Sequence, residues 1–305
     1  KIELAKVKPV KDKVVIKQKK NAQEVSFEEK MNLVLSIDKM LKDEEEKIKA
    51  TEVRYIDWLR RQTIATSEGT LVYEERPYTF LYMLPTAKKG TDTNQGMARA
   101  GHIGGFELFD LVDVEERAEE AKKRTIKGLE AKAVKAGKYP VVLDGTLNFL
   151  FAHEAAGHSS EGDFLRTAGV FRGKLGKTIA PKHVNLIDDG TLEYVQNYKV
   201  RTFGFMNYDD EGVPTQRTEI VKDGILNTYL TDRASAAHFD LKPTGNCRAE
   251  YYSSIPIVRM RNTFLMASKG KDFTEEEILE LVKDGLLLKK GGGGQVDPIR
   301  GTFNF

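Results

Sequence analysis

Six residues in the middle of the chain have the types and spacing that hydrolytic chemistry requires: His153-Glu154-Ala155-Ala156-Gly157-His158. A metal hydrolase needs neutral imidazoles as ligands, an open coordination position for water, and a carboxylate beside that water as base. One helix supplies two ligands and the base if they share a face. The familiar spacing of two such histidines is four, because four steps of 100° return to within about 40° of the start. Here the gap is five, which on an ideal α-helix sets the rings about 140° apart. For both to grip one ion, the helix must widen by a residue, as a π-bulge does, or break between them. Gly157 sits where that distortion costs least, and Ala155 and Ala156 leave room for it. Glu154 is then placed as general base. Glu161, one turn beyond His158, is a candidate third ligand or a carboxylate that hydrogen-bonds a ligand imidazole; the alternative is an exposed helix-end glutamate. Only five histidines occur in 305 residues, which makes a chance meeting of two with an adjacent Glu improbable.

The elements that must position this helix follow from periodicity and turn signals. Ser26-Phe27-Glu28-Glu29 has capping-box spacing, and Leu33, Val34, Ile37, Met40 and Leu41 then form one apolar stripe, predicting a core-facing helix. A long hairpin follows, from Ala50 to Ser67, turning at Ser67-Glu68-Gly69-Thr70 and returning through Leu71 to Leu84. The glycine-rich, polar residues 91–105 read as a flexible loop. A second helix is expected from Val114 to Ala136, closed by Gly137 as a left-handed cap, its charged repeats marking a solvated face. Pro140 to Asp144 reads as a short buried strand with a turn at Asp144-Gly145, and the motif helix starts near Thr146. Beyond it come a hairpin around Asp223-Gly224, with strands Glu219–Lys222 and Ile225–Leu230, and a short helix at Ala234–Phe239. A strand at Ile255–Met260, a helix near Thr274–Asp284 and a loop at Gly291–Gly294 complete this half. No internal repeat is visible. The expected class is α+β: an N-terminal helix and strand region over residues 1–138, and a strand-rich C-terminal domain over 139–305 carrying the metal-binding helix.

Composition narrows the function. Apolar residues make up 40% and charged residues 31%, as in a globular protein with an ordinary core. The formal net charge of +2 argues against nucleic-acid binding by bulk electrostatics. The basic stretch Lys6–Lys20 alternates with Val and Ile and reads as an edge strand with lysines on its wet face. The single cysteine, Cys247, excludes an intramolecular disulfide. No apolar run approaches the ~20 residues needed to cross a bilayer. A cytoplasmic location is the default. The chain opens without Met and ends on a strand pattern, Gly301–Phe305, which reads as a piece of a longer polypeptide.

Among the remaining candidates, His183 and His238 read as surface or packing histidines, with His183 opening a strand at Val184–Ile187. His102 lies in the glycine-rich stretch that is able to fold over the site. Arg248 and Arg259 are candidates for binding substrate carbonyls or carboxylates, because a guanidinium presents a fixed fork of donors. An internal ion pair is the equal alternative. Phe203-Gly204-Phe205-Met206-Asn207-Tyr208 is either a groove lining or core. Gly291–Gly294 lacks the Lys-Ser or Lys-Thr of a phosphate loop, so nucleotide binding is not expected; its position favours a backbone in close approach to peptide or helix.

Several longer segments carry a resemblance. Ala152–Asp163, Gly245-Asn246-Cys247-Arg248-Ala249, Pro256–Thr263, Gly292–Asp297 and Ala100–Glu107 together resemble the TldD/PmbA family of zinc metallopeptidases, on its motif-bearing side. The resemblance implies a cytoplasmic peptidase that cleaves unfolded or extended peptides, the peptide held by strand addition. It implies assembly as a homo-oligomer or a hetero-oligomer with a related motif-free subunit, zinc held by His153 and His158, and Glu154 as base. It also implies a third ligand from a cysteine in a glycine-rich segment beyond Phe305. Cys247 is not in that context and reads as a small buried side chain. The lack of that ligand motivates a second reading, a non-catalytic or metal-deficient subunit of a peptidase assembly. The family has carried a name linking it to DNA gyrase, yet no recognition-helix pattern supports DNA contact here.

Overall fold

The structure, a computed structural model, describes residues 2–42, 46–266, 273–282, 284–291 and 293–304. In the first half, a five-stranded sheet is built on one long hairpin: β1 is Lys11–Val15, β2 Ile48–Ala65, β3 Leu71–Lys89, β4 Asp92–Gln95 and β5 Ala98–His102. Between β1 and β2 lies helix α1, Phe27–Lys42. Ser26 Oγ accepts from the Glu29 amide at 3.1 Å, which satisfies an orphan donor at the first turn. Ile37 and Leu41, four residues apart on one face, are fully buried against the sheet with Leu33 beside them.

β2 runs along one edge of β3 for the hairpin's full length, from Ile48 opposite Ala87 to Ala65 opposite Leu71. The other edge of β3 is shared by three strands in line. β1 pairs parallel with Leu71–Glu75, β5 antiparallel with Thr79–Met83, and β4 antiparallel with Thr86–Lys89. As expected, β1 is an edge strand with exposed Lys11 and Lys13, but it covers only Lys11–Val15 of the expected Lys6–Lys20. The expected loop at 91–105 is instead largely strand. A 19-residue β3 leaves a row of backbone donors and acceptors beyond the reach of β1, and β5 and β4 satisfy them. Glycine there marks close packing rather than mobility: a Cβ on Gly101 would occupy the space of the Phe203 ring.

Helices α2 (Leu108–Leu111) and α3 (Val114–Leu129) follow. Asp113 caps α3 by accepting from the Glu116 amide at 2.8 Å. The helix ends at Leu129, not at Ala136, and Gly137 is not left-handed. The buried stripe of Ala118, Ala121 and Thr125 stops there, and residues 131–140 are exposed throughout, so no packing supports a further two turns.

The second half places α4 (Gly145–Phe151), α5 (Gly162–Leu165) and α6 (Arg233–Phe239) around a four-stranded antiparallel sheet. Its strands are β7 (Leu186–Asp189), β8 (Arg217–Lys222), β9 (Ile225–Leu226) and β12 (Thr263–Leu265), in the order β12-β7-β8-β9. The turn between β8 and β9 has Asp223 and Gly224 both at positive φ, 49° and 76°, as the Asp-Gly signal predicts. Strand β9 closes at Leu226, short of the expected Leu230, and β7 opens at Leu186 rather than at Val184. Between β9 and β12 a two-stranded ribbon forms from β10 (Cys247–Arg248) and β11 (Ile257–Val258), shorter than the expected strand 255–260. Strand β6 (Val141–Leu143) precedes α4 and pairs parallel with β13 (Leu286–Leu288). Helix α7 (Glu275–Leu281) lies before β13, and β14 (Gln295–Asp297) and β15 (Thr302–Asn304) form a final hairpin. Helix α7 stops at Leu281 with Val282 as its cap; Lys283, in the expected span, lies outside the described residues, as does Gly292. The α+β class holds.

A pair of acids in this half, Asp209 buried and Glu211 partly buried, has a measurable consequence. Asp209 accepts from the Val213 amide at 2.9 Å and Glu211 from the Arg233 amide at 2.8 Å. Burial is the first cause that pushes Glu211 up to about 7 and Asp209 up to about 6. A folded pKa above the unfolded value of 4.5 means a stability contribution that is full below the unfolded pKa and lost as pH rises through the folded one. The contribution of Glu211 should therefore be lost between about pH 4.5 and about pH 7, so the melting temperature of Glu211→Gln, which keeps the Arg233 bond, should gain on that of the wild type as pH rises through that window. Parallel pH profiles for the two proteins would refute this account of Glu211.

Candidate metal centre

Strand β6 leads into the motif helix through Asp144, which is not a turn residue but the cap of α4. Its Oδ1 accepts from the Leu147 amide at 2.8 Å, and its Oδ2 from the Lys290 amide at 3.1 Å. Leu147 is buried and fixes the helix from below. From Ala152 to Gly157 the helix changes type. These six residues form a π-helical turn, followed by a short 3₁₀ segment, His158–Ser160. The deciding bond is between the two histidines themselves: the His158 amide donates to the His153 carbonyl, five residues back, where an α-helix would use Glu154.

The widened turn has the effect that the spacing demanded. Ligand-capable atoms of His153, Glu154 and His158 all lie within 4.8 Å of one another, the group of metal-binding character found among the described residues. The imidazole rings are 4.7 Å apart, edge to face. Ala152 and Ala156 turn the other way and pack with Leu186, Ile220, Leu230 and Val258 in the core of the sheet. Gly157 has ordinary helical angles, φ −59° and ψ −59°, so backbone freedom is not its role. A Cβ there would run into Met260 Sδ, and the missing side chain is what lets the helix seat on the core.

Partners lock the rest. His158 Nδ1 lies 3.1 Å from Glu161 Oε1, and Glu161 Oε2 accepts from Arg259 Nη1 at 2.9 Å. Glu161 is thus neither an exposed helix-end residue nor a member of the converging donor group. It is 5% exposed and holds His158 from behind, leaving Nε2 turned away from it. Asp163 Oδ2 accepts from the Val258 amide at 3.0 Å and ties the end of the motif to β11, next to Arg259. Burial, then the neighbouring His158 and the Arg259 cation, depress His153 to about 4. Its imidazole is neutral at physiological pH, the form that ligates metals. Glu154 is 6% exposed, and Gly294 of the glycine-rich loop lies directly against it. That loop approaches the helix closely, with Gly291 on the Leu147 side chain.

Other sequence candidates lie elsewhere. His102, expected in a mobile loop, is buried in β5, where Nδ1 accepts from the Arg201 amide at 2.9 Å and Glu107 lies 3.6 Å from Nε2. Burial depresses it. His183 and His238 are exposed. Cys247 is buried in β10, its amide donating to Asp209, and burial followed by the surrounding acids pushes its thiol up. It stands outside the donor group. Phe203 stacks on Phe80 at 4.3 Å on the hairpin, while Met206 is core. Sequence reading missed the Glu161–Arg259 pair, since a contact across 98 residues leaves no local pattern.

Residues 20–129 match the PmbA/TldA metallopeptidase central domain, and residues 136–305 the PmbA/TldA metallopeptidase C-terminal domain. The chain belongs to the PmbA/TldD family. A metalloprotease of Methanocaldococcus jannaschii is 40% identical over 286 residues, covering 93% of this chain and 60% of that protein. A zinc metalloprotease TldD homolog of Saccharolobus solfataricus is 30% identical, covering 91% and 60%. The chain therefore spans about three-fifths of the length of these PmbA/TldD relatives. Among solved structures, TldE from Thermococcus kodakarensis shares the fold with a TM-score of 0.64 at 17% identity, over 93% of this chain and 64% of that one. A Thermotoga maritima protein described as a candidate modulator of DNA gyrase reaches 0.73 at 20% identity, over 95% and 62%. None of the helices among the described residues is long and apolar enough to cross a membrane.

Proposed function

We propose that this chain carries the hydrolytic centre of a zinc-dependent peptidase acting on unfolded or extended peptides. The observation that carries the reading is the hydrogen bond from the His158 amide to the His153 carbonyl, because the π-turn it closes brings two imidazoles and a carboxylate together. The two imidazole nitrogens, one already neutral, are donors of the kind that zinc takes, and the buried Glu154 carboxylate lies beside them in the position of a base. The metalloprotease names of the relatives support the same reading.

His153 and His158 would hold the ion, and Glu161 fixes the ring of His158 through Nδ1. Zinc, when held there, supplies a Lewis acid that polarises a peptide carbonyl and lowers the pKa of water. Glu154 takes a proton from the attacking water and delivers it to the departing amine. Its burial and the close cover of Gly294 keep bulk solvent from that carboxylate, so the proton passes to substrate rather than to the medium.

Equilibrium dialysis against zinc should find about one ion per chain. His153→Ala and His158→Ala should each abolish that binding. A double variant that retains zinc with unchanged affinity would place the metal elsewhere and end the proposal.

A further inference from the structure

Beside Arg259, which Glu161 ties to the histidine motif, stands a second guanidinium whose Nε has no hydrogen-bond partner among the described residues. Strands β10 and β11 pair with Cys247 opposite Val258 and Arg248 opposite Ile257, and the Arg259 amide continues the ladder to the Asn246 carbonyl at 2.9 Å. Cys247 and Val258 are buried on the core face, so Arg248 and Arg259 lie together on the other. They are diagonal neighbours, a relation that sets backbones about 7–8 Å apart and allows two long side chains to meet over one ligand. Their charges feel each other. Burial first, and Arg259 next, pulls Arg248 below the usual arginine range, and the same Arg259 charge reaches His153.

The two arginines differ in what they hold. Arg259 Nη1 donates to Glu161 and to the Val258 carbonyl, and its side chain is 37% exposed. The Nε of Arg248 is closed off from solvent and has no hydrogen-bond partner. Among the described residues, no carboxylate lies within 4.0 Å of the Arg248 guanidinium. Asp210, the carboxylate whose field reaches it, is already engaged by Gln62 Nε2 at 2.7 Å, by the Ala249 amide at 2.7 Å and by Arg60 at 3.5 Å. Arg60 adds a further positive charge to the same surroundings. A guanidinium N–H closed off from water without an acceptor is destabilising, and a ligand carboxylate beside it would offset that cost. The complement of a free guanidinium fork is a carboxylate, whose two oxygens match it.

We propose that Arg248, with Arg259 beside it, forms a carboxylate-recognition subsite of the peptidase centre, so that preferred substrates present a C-terminal α-carboxylate or an acidic side chain close to the scissile bond. The proposal rests on the peptidase reading and names its substrate class. It is tested on the zinc-loaded full chain carrying Glu154→Gln, which holds peptide without cutting it. Fluorescence anisotropy compares one labelled neutral peptide with a free C-terminus, its C-terminal amide, and amides with an internal Glu or Gln. The free acid or the Glu amide should bind on the order of ten- to a hundredfold more tightly than its uncharged counterpart. Which of the two does so identifies the carboxylate. Arg248→Met should erase that preference while leaving the melting temperature unchanged or higher; Arg248→Lys should restore part of it. Equal affinity across the four peptides, no binding of any, or a preference that survives Arg248→Met would overturn the proposal. A preference seen in a protein whose unmodified form cleaves none of the peptides would instead sink the peptidase reading and leave the subsite standing.

Discussion

Glu154→Gln should keep its zinc and lose peptide cleavage by a factor on the order of 10²–10⁴, the range that a positioned general base contributes. The substitution is nearly isosteric, and the side chain is 6% exposed with Gly294 packed against it, so the shape of the cover is preserved. The amide has no basic oxygen to take a proton, and excess zinc should not rescue the rate. Metal analysis alongside turnover of an unfolded peptide is the check. A variant that loses zinc together with activity would make Glu154 a third ligand rather than the base.

Glu161→Gln should behave in the opposite way. Its carboxylate lies 3.1 Å from His158 Nδ1 and 2.9 Å from Arg259 Nη1, so the substitution removes the charge that orients the His158 ring and balances one cation. Partners of this kind are typically worth about 10- to 100-fold in metal affinity. The zinc dissociation constant should rise by that factor, and cleavage should recover toward the wild-type rate at saturating zinc. The contrast separates the two glutamates: one variant is repaired by metal and the other is not. An unchanged zinc affinity in Glu161→Gln would remove Glu161 from the site.

The motif was legible because its defect is local. A gap of five between His153 and His158 conflicts with a period of 3.6, and the conflict has few resolutions, of which the π-turn is one. The hairpin of β2 and β3 and the stripe of Ile37 and Leu41 were legible for the same reason, since each repeats at its element's own period. What stayed hidden depends on contacts between distant segments. Residues 92–102 look like loop by composition and become strand because β3 needs partners along its edge. Residues 131–136 look helical by propensity and are not, because all of them are exposed and none is held in the core. Gly157 looks like a hinge and is a contact surface for Met260. The unpartnered Nε of Arg248 has no signature in the chain at all, because it is defined by what fails to lie near it among the described residues.

The two hydrogen bonds of Asp144 have a consequence for how the centre comes into being. One starts the helix that bears the histidines; the other fastens the backbone at Lys290, 146 residues later in the chain, from which the run toward Gly294 descends onto Glu154. Strand β6, just before that carboxylate, likewise waits for β13. A nascent polypeptide emerging from the ribosome would display the histidines long before the segment that covers them. On the peptidase reading, the carboxylate of Glu154 would gain its cover only after Gly294 has been made.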